Sequence, residues 1–309
     1  MSAFENKVDL ELLRQIADLE KVPQGAYNIR KDGQLDSRSS TANIEISTKE
    51  DKPGIDIRIK AGTKNESVHI PVIITQMGVV EMVYNDFFIG ENCDITIVAG
   101  CGIHNSGCET SQHDGIHTFY IGANSKVRYV EKHYGDGEGT GERVMNPQTV
   151  AYLEEGSSLN METTQLRGVD STKRYTKVVV GKNAEIVITE KLLTHGDQLA
   201  DSEMEIVLAG ENANGRVISR SVAQDRSVQN FYPNVIGKRK CFGHVQCDAI
   251  IMDEAKIKAI PAITADHMDA QLIHEAAIGR IAGEQILKLM TLGLTEQEAE
   301  EKILDGFLR

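Results

Sequence analysis

The chain has 309 residues, 40% of them hydrophobic, with 33 basic and 46 acidic side chains and a formal net charge of −13. That length can bury a continuous core in one elongated domain or two compact ones, and the acidic surface repels phosphate backbones and anionic lipid heads, which argues against nucleic acid and membranes as partners. The start MSAFENKVDLELLRQ is charged throughout, no stretch reaches bilayer length, and five cysteines (Cys93, Cys101, Cys108, Cys241, Cys247) make an odd set, so a cytoplasmic, reducing setting is expected, with thiols buried or binding metal.

Near the N-terminus Val8, Leu12, Ile16 and Leu19 recur at helical spacing until Pro23 and Gly25 end the pattern, which predicts one short amphipathic helix within residues 1–25. Residues 26–78 alternate instead, as in Ile44-Glu-Ile46 and Ile55-Asp-Ile57-Arg-Ile59, and read as leading strands. From 79 to 269 an internal repeat takes over: IGENCDI from Ile89, IGANSKV from Ile121, LEEGSSL from Leu153, VGKNAEI from Val180, AGENANG from Ala209 and MDEAKI from Met252. Each reads as a corner feeding a strand, with Gly, Asn or an Asp-Glu pair permitting the turn and the following aliphatic residue stacking on its counterpart in the next coil. Most corners are about 30 residues apart, too short for a strand-helix-strand unit and suited to one coil of a parallel β-helix. The wider gap before Met252 holds an insertion or a coil with an unrecognised corner. Residues 270–309 read as a helical unit that begins with His-Glu-Ala-Ala at 274–277. There Gly293 stops one helix, Thr295 with Glu298 forms a capping box, and Ala299, Ile303, Leu304 and Phe307 line a face.

Two constellations could carry chemistry. Cys247 in QCDAI, with His274 and Glu275 in LIHEAAIG, offers a thiol, an imidazole and a carboxylate; read alone, Cys247 is first a core filler, and His274-Glu275 can be the polar start of a helix. Cys101, His104, Cys108, His113 and His117 place two thiols and three imidazoles within 17 residues, enough for a tetrahedral or iron site; the plainer alternative makes Cys101 core and His113 and His117 exposed loop side chains. GDGEGTG at 135–141 lacks the Lys-Ser or Lys-Thr of a phosphate loop and reads as a flexible turn. Without a Walker A motif, ATP hydrolysis would have to come from a partner.

The stretch from Gln229 to Phe307 resembles the C-terminal region of SufB and SufD proteins. QNFYPNVIG, CDAIIMDEAKIKAIPAI and DAQLIHEAAIGRIAGEQILKLMTLGLTEQEAEEKILDGF follow that family's order of a cysteine on a late coil, a Pro-containing last strand, a His-Glu-Ala segment and a terminal hairpin, and the likeness extends more loosely back to about residue 80. The resemblance implies a right-handed parallel β-helix with a short N-terminal helix and a C-terminal helical subdomain. It also implies a non-enzymatic scaffold that builds and transfers transient iron-sulfur clusters with a SufC-like ATPase and a sulfur donor of the cysteine desulfurase type. The cluster-site positions fall on Cys247, His274 and Glu275, and the ATPase contact on Glu284, Leu287, Met290, Gly293 and Leu294. Because one protomer offers a single cysteine there, a site completed by a homodimer, or by a SufB- or SufD-like partner, is expected. Ile273 stands where SufB-like chains often carry a further glutamate, and the segment 147–158 has no cysteine where they have a candidate relay thiol. The competing readings are a β-helical carbohydrate-active enzyme, disfavoured by aromatics at 5%, and a metal-free β-solenoid interaction protein.

Overall fold

In the computed structural model, which describes residues 3–165 and 167–308, helix α1 (Lys7–Ala17) starts where Asn6 Oδ1 accepts from the backbone N–H of Val8 at 2.8 Å and of Asp9 at 3.3 Å. Its buried face is Leu12, Leu13, Ile16 and Ala17, whereas Val8 is exposed. The helix lies across the outside of the strands Lys64–Ile74, Asp94–His104 and Lys126–Asp136. Gly100 and Gly102 let it approach, since a Cβ on them would meet Ile16 O at 2.8 Å and Leu12 Cβ at 3.1 Å.

Beyond α1 the chain is a parallel β-solenoid. It alternates between two sheets, one of ten strands and one of eleven, each strand pairing with the one a full coil later. Register is kept from coil to coil, so like positions stack: Ile97, Tyr129, Met161, Ile188, Val217 and Val245 form one buried column. Parallel stacking begins before residue 79, since Gly54–Ile59 pairs with Val80–Ile89 and Lys64–Ile74 with Asp94–His104. Antiparallel pairs, Ala26–Lys31 with Gln34–Ser39 and Ile44–Thr48 with Gly54–Ile59, close the N-terminal end.

The corner residues behave as their types require. Asn92, Asn124, Gly156, Asn183 and Asn212 hold φ of 56, 58, 70, 53 and 56°, the left-handed region that Asn and Gly tolerate best. The sixth repeat is corrected: Asp253 in MDEAKI also has positive φ, but it lies on the opposite corner, in line with Asp225 and Gly196. The missing corner of the first column is Lys238-Arg239-Lys240, whose Lys240 carbonyl accepts from the Asn212 N–H at 2.7 Å. GDGEGTG is also not a free turn. Gly139 N and Gly141 N donate to Asn105 O and Gly107 O at 3.0 Å, and a Cβ at 139 or 141 would come within 2.3 or 2.2 Å of the backbone beneath.

The helical tail is α2 (Gly283–Met290) and α3 (Glu296–Leu308), which pack on each other. The capping box forms as expected, with Thr295 N donating to Glu298 Oε2 at 2.8 Å and Glu298 N to Thr295 Oγ1 at 3.2 Å. Arg220 tethers the end of α3 to the solenoid by donating to Phe307 O at 3.4 Å. His274 and Glu275, however, do not begin a helix: Ala270–Gly279 is a strand paired with Cys241–Ile251, and helix starts only at Gly283. Among the described residues, no helix is long and apolar enough to cross a membrane.

Candidate functional site

Stacking in register decides which sequence-predicted residues meet. The buried column just described ends on His274, which pairs opposite Val245, and Cys247 is the next inward position of the same strand as Val245. Cys247 Sγ and His274 Nε2 therefore face each other at 3.5 Å. Burial, then the charges of Glu190 and Asp248, pushes the Cys247 thiol up to about 12, and burial lowers the His274 imidazole. A protonated thiol beside a neutral imidazole is quiet toward oxidants and becomes a ligand when a metal displaces its proton.

Glu275 is not with them. Neighbours in a strand point to opposite faces, so Glu275 projects outward, where its Oε1 accepts from His244 Nε2 at 2.7 Å. His244 is a residue that sequence reasoning missed, because it lies one coil away, 31 positions earlier. Among the described residues, no three His, Cys, Asp or Glu side chains come close enough together in one protomer to hold a metal ion.

The second constellation is split. Cys101, His113 and His117 are buried and line one small cavity of about 10 Å³ with Glu131 and His133. His104 instead lies 3.6 Å from Asp136, and Cys108 is exposed. The histidines at 113 and 117 are thus interior strand residues, not loop side chains, and both engage protein partners. His113 Nδ1 meets Glu81 at 3.1 Å; Asn85 donates to His117 Nε2 at 3.3 Å, which leaves Nδ1–H to donate to Tyr129 Oη at 2.7 Å. Burial, reinforced by Glu81, Glu131 and Asp114, holds the Cys101 thiol well above its ordinary range.

Behind these residues runs a buried polar seam that the sequence reading did not single out. The inward column Glu131, Thr163, Glu190, Ser219, Cys247 crosses five coils in register. From the facing sheet, Arg174 donates to Glu131 Oε2 at 2.6 Å and to His133 Nδ1 at 3.3 Å, and its Nε stands 3.8 Å from Glu190. Although burial opposes it, Arg174 holds the Glu131 carboxyl well below the usual range. Burial wins at Glu190, whose carboxyl is raised and accepts from Ser202 Oγ at 2.9 Å.

This interior makes stability depend on pH. Burial lowers His117 from 6.5 to about 4, so the unfolded chain takes up its proton first as pH falls between those values. Stability is therefore lost on acidification, by up to about 3 kcal/mol from this residue. Glu81, held at about 2 against burial by its bonds to His113 and Arg30, adds a loss of the same sign between 4.5 and 2. Urea unfolding of the chain should show a falling midpoint from pH 7 to pH 4, and His117→Gln should flatten that slope; an unchanged slope would contradict the assignment.

The molecule is thus a parallel β-solenoid that presents a thiol–imidazole pair on its last coil. Its sequence matches the family described as SUF system FeS cluster assembly, SufBD core domain, over residues 74–307. The chain belongs to this SufBD family of iron-sulfur cluster assembly. The iron-sulfur cluster assembly SufBD family protein of Archaeoglobus fulgidus is 30% identical over 264 residues, 84% of this chain and 69% of its own length. The homologue of the same description in Methanothermobacter thermautotrophicus strain Winter is 26% identical over 241 residues, covering 77% of this chain and 57% of its own length, and that of Methanocaldococcus jannaschii is 26% identical over 255 residues, covering 82% and 79%. The chain spans between 57% and 69% of the length of the first two relatives.

Proposed function

We propose that the chain is a non-enzymatic scaffold on which iron and sulfide assemble into a nascent cluster for transfer, with Cys247 and His274 as the ligands each protomer contributes. The observation that carries this reading is the 3.5 Å approach of Cys247 Sγ to His274 Nε2 on the last two stacked strands of one sheet. Thiolate and imidazole suit iron, and two ligands per chain are about half of what a cluster needs. A second copy, or a SufB- or SufD-like partner, completes the set. In support, Ala270–Gly279 ends its sheet with one edge free of strand partners among the described residues, and Ile260, Ile263, Met268, Ile273 and Ile278 are exposed around it. Sulfur comes from a donor of the cysteine desulfurase type, and the setting is cytoplasmic.

ATP hydrolysis is assigned to a SufC-like partner docking on α2 and the turn after it. Glu284, Leu287, Met290 and Gly293 are exposed there and Leu294 half-buried, with Leu287 presenting an apolar side chain that is 62% exposed. The scaffold reading is tested by anaerobic purification with and without the co-expressed ATPase, followed by iron and sulfide analysis and a visible spectrum; a chain that cannot hold a cluster after reconstitution refutes it. Deleting residues 283–309 should abolish co-purification with the ATPase while the β-rich circular dichroism persists. Retained binding would reject the docking face.

A further inference from the structure

The buried polar seam approaches the surface where the helical tail lies. The strand Ser158–Gln165 ends on Gln165, and Thr163 and Gln165, two positions apart, both point inward. They are 1% and 4% exposed, yet Thr163 Oγ1 and Gln165 Nε2 have no hydrogen-bond partner among the described residues. Both residues line a void of about 10 Å³ with Arg174, Glu190 and Ser202. Outside it, a groove of about 410 Å³ runs between the solenoid, at Thr164 and Leu193, and the end of α3, at Asp305 and Leu308. Gln165 and Leu192 line the void and the groove alike.

An unpartnered polar atom in the interior has lost its hydration without replacement, and in folded proteins such atoms generally face a water or another small guest. A polar void of roughly 10–15 Å³ holds one water, provided two to four polar groups surround it. Gln165 offers N–H donors, and Thr163 a hydroxyl that can give or accept. Arg174 stands beside the carboxyls of Glu131 and Glu190, so charges of both signs meet at the void and an ion of either sign is repelled by one of them. The guest that suits is neutral, one heavy atom in size, and able both to give and to accept hydrogen bonds.

The cover over the groove is lightly held. Among the described residues α2 buries none of its own and α3 only Ala299, and Arg220 reaches Phe307 O at a long 3.4 Å. Segments with so little burial open locally far more readily than the packed coils beneath them. We infer that Thr163 and Gln165 form an internal binding site for one neutral, water-sized guest, filled and emptied through a side mouth beneath the end of α3. The position of the tail thereby governs what enters the solenoid at this coil. The site is independent of the scaffold reading, since neither Cys247 nor His274 takes part in it.

The test uses the full chain. In the parent, NMR should show direct cross-relaxation between a bound water and the Gln165 side-chain amide protons; no such signal overturns the site. Leu308→Ala thins the cover and leaves the lining of the void intact. It should speed exchange of those amide protons with solvent at least about tenfold, because local opening sets that rate; an unchanged rate overturns the mouth. Gln165→Leu, close in size, separates a filled void from a dry one. Removing a donor that holds a guest should lower the urea midpoint, whereas removing a donor with nothing to bind should raise it. A midpoint equal to or above that of the parent overturns the site. Should Gln165→Leu fail to fold, Thr163→Val repeats the comparison at the other wall with the same two outcomes.

Discussion

Arg174→Met is expected to destabilise the solenoid by about 3–5 kcal/mol, the usual cost of removing one partner from a buried charge network. Arg174 is nine-tenths or more buried, and it serves Glu131, His133 and Glu190 at once. Without it, Glu131 must remain charged in an apolar interior or take up a proton at neutral pH, and either outcome costs stability. The loss should shrink in acid. In the parent, Glu131 is depressed, so its contribution is fully present above the unfolded carboxylate pKa and is lost progressively as pH falls from there through its lower folded value. In the variant that contribution is already gone. Urea unfolding at neutral pH and near pH 4 measures both points, and adding Glu131→Gln should recover part of the loss. A variant within 1 kcal/mol of the parent at neutral pH would show that the network does not hold the coils together.

Cys247→Ala and His274→Ala should each reduce the iron and sulfide retained after anaerobic reconstitution by at least about tenfold, since even second-shell changes around a metal commonly cost 10 to 100-fold. Cys108→Ser is the informative control. Cys108 was a candidate ligand by sequence, but it is exposed and separated from the buried Cys101. Its replacement should leave loading unchanged; if loading falls with Cys108→Ser and survives Cys247→Ala, the cluster site belongs to the 101–117 segment. Loading through Cys247 should also improve with pH. Its thiol titrates at about 12, so iron must displace a proton that bulk base hardly removes at pH 8. Alkylation follows the same logic, with Cys108 modified first and Cys247 far behind until strongly alkaline conditions.

The architecture was legible because β-solenoid corners have strict residue requirements. Asn92, Asn124, Gly156, Asn183 and Asn212 each sit where positive φ is needed, and the spacing between successive ones is the length of a coil. MDEAKI misled because both corners of a coil can use the same turn chemistry, so local similarity does not say on which side a turn lies. The HEAAIG segment misled differently. Its Ala and Glu favour a helix in isolation, but pairing across ten positions with Cys241–Ile251 overrides that preference. That one change of element altered the site, because adjacent residues at the start of a helix can serve a common ligand whereas in a strand they point apart. The buried seam was hidden for a related reason: Glu131, Arg174 and Glu190 look like surface residues until strand parity is counted coil by coil.

The two ends of the solenoid are unlike. One end finishes in short hairpin strands bearing Gln34, Asp36 and Arg38, with Lys49 buried between Asp56 and Asp86. The other ends in ten extended residues whose outer edge has no strand partner among the described residues, with an oily margin. Rods with two adhesive tips would polymerise head to tail without limit, but a rod with one blunt tip can only pair tip to matching tip and stop. On the proposed pairing at the last strand, the charged hairpins at the far end would stop the assembly at two copies, though they lie remote from the chemistry at the junction.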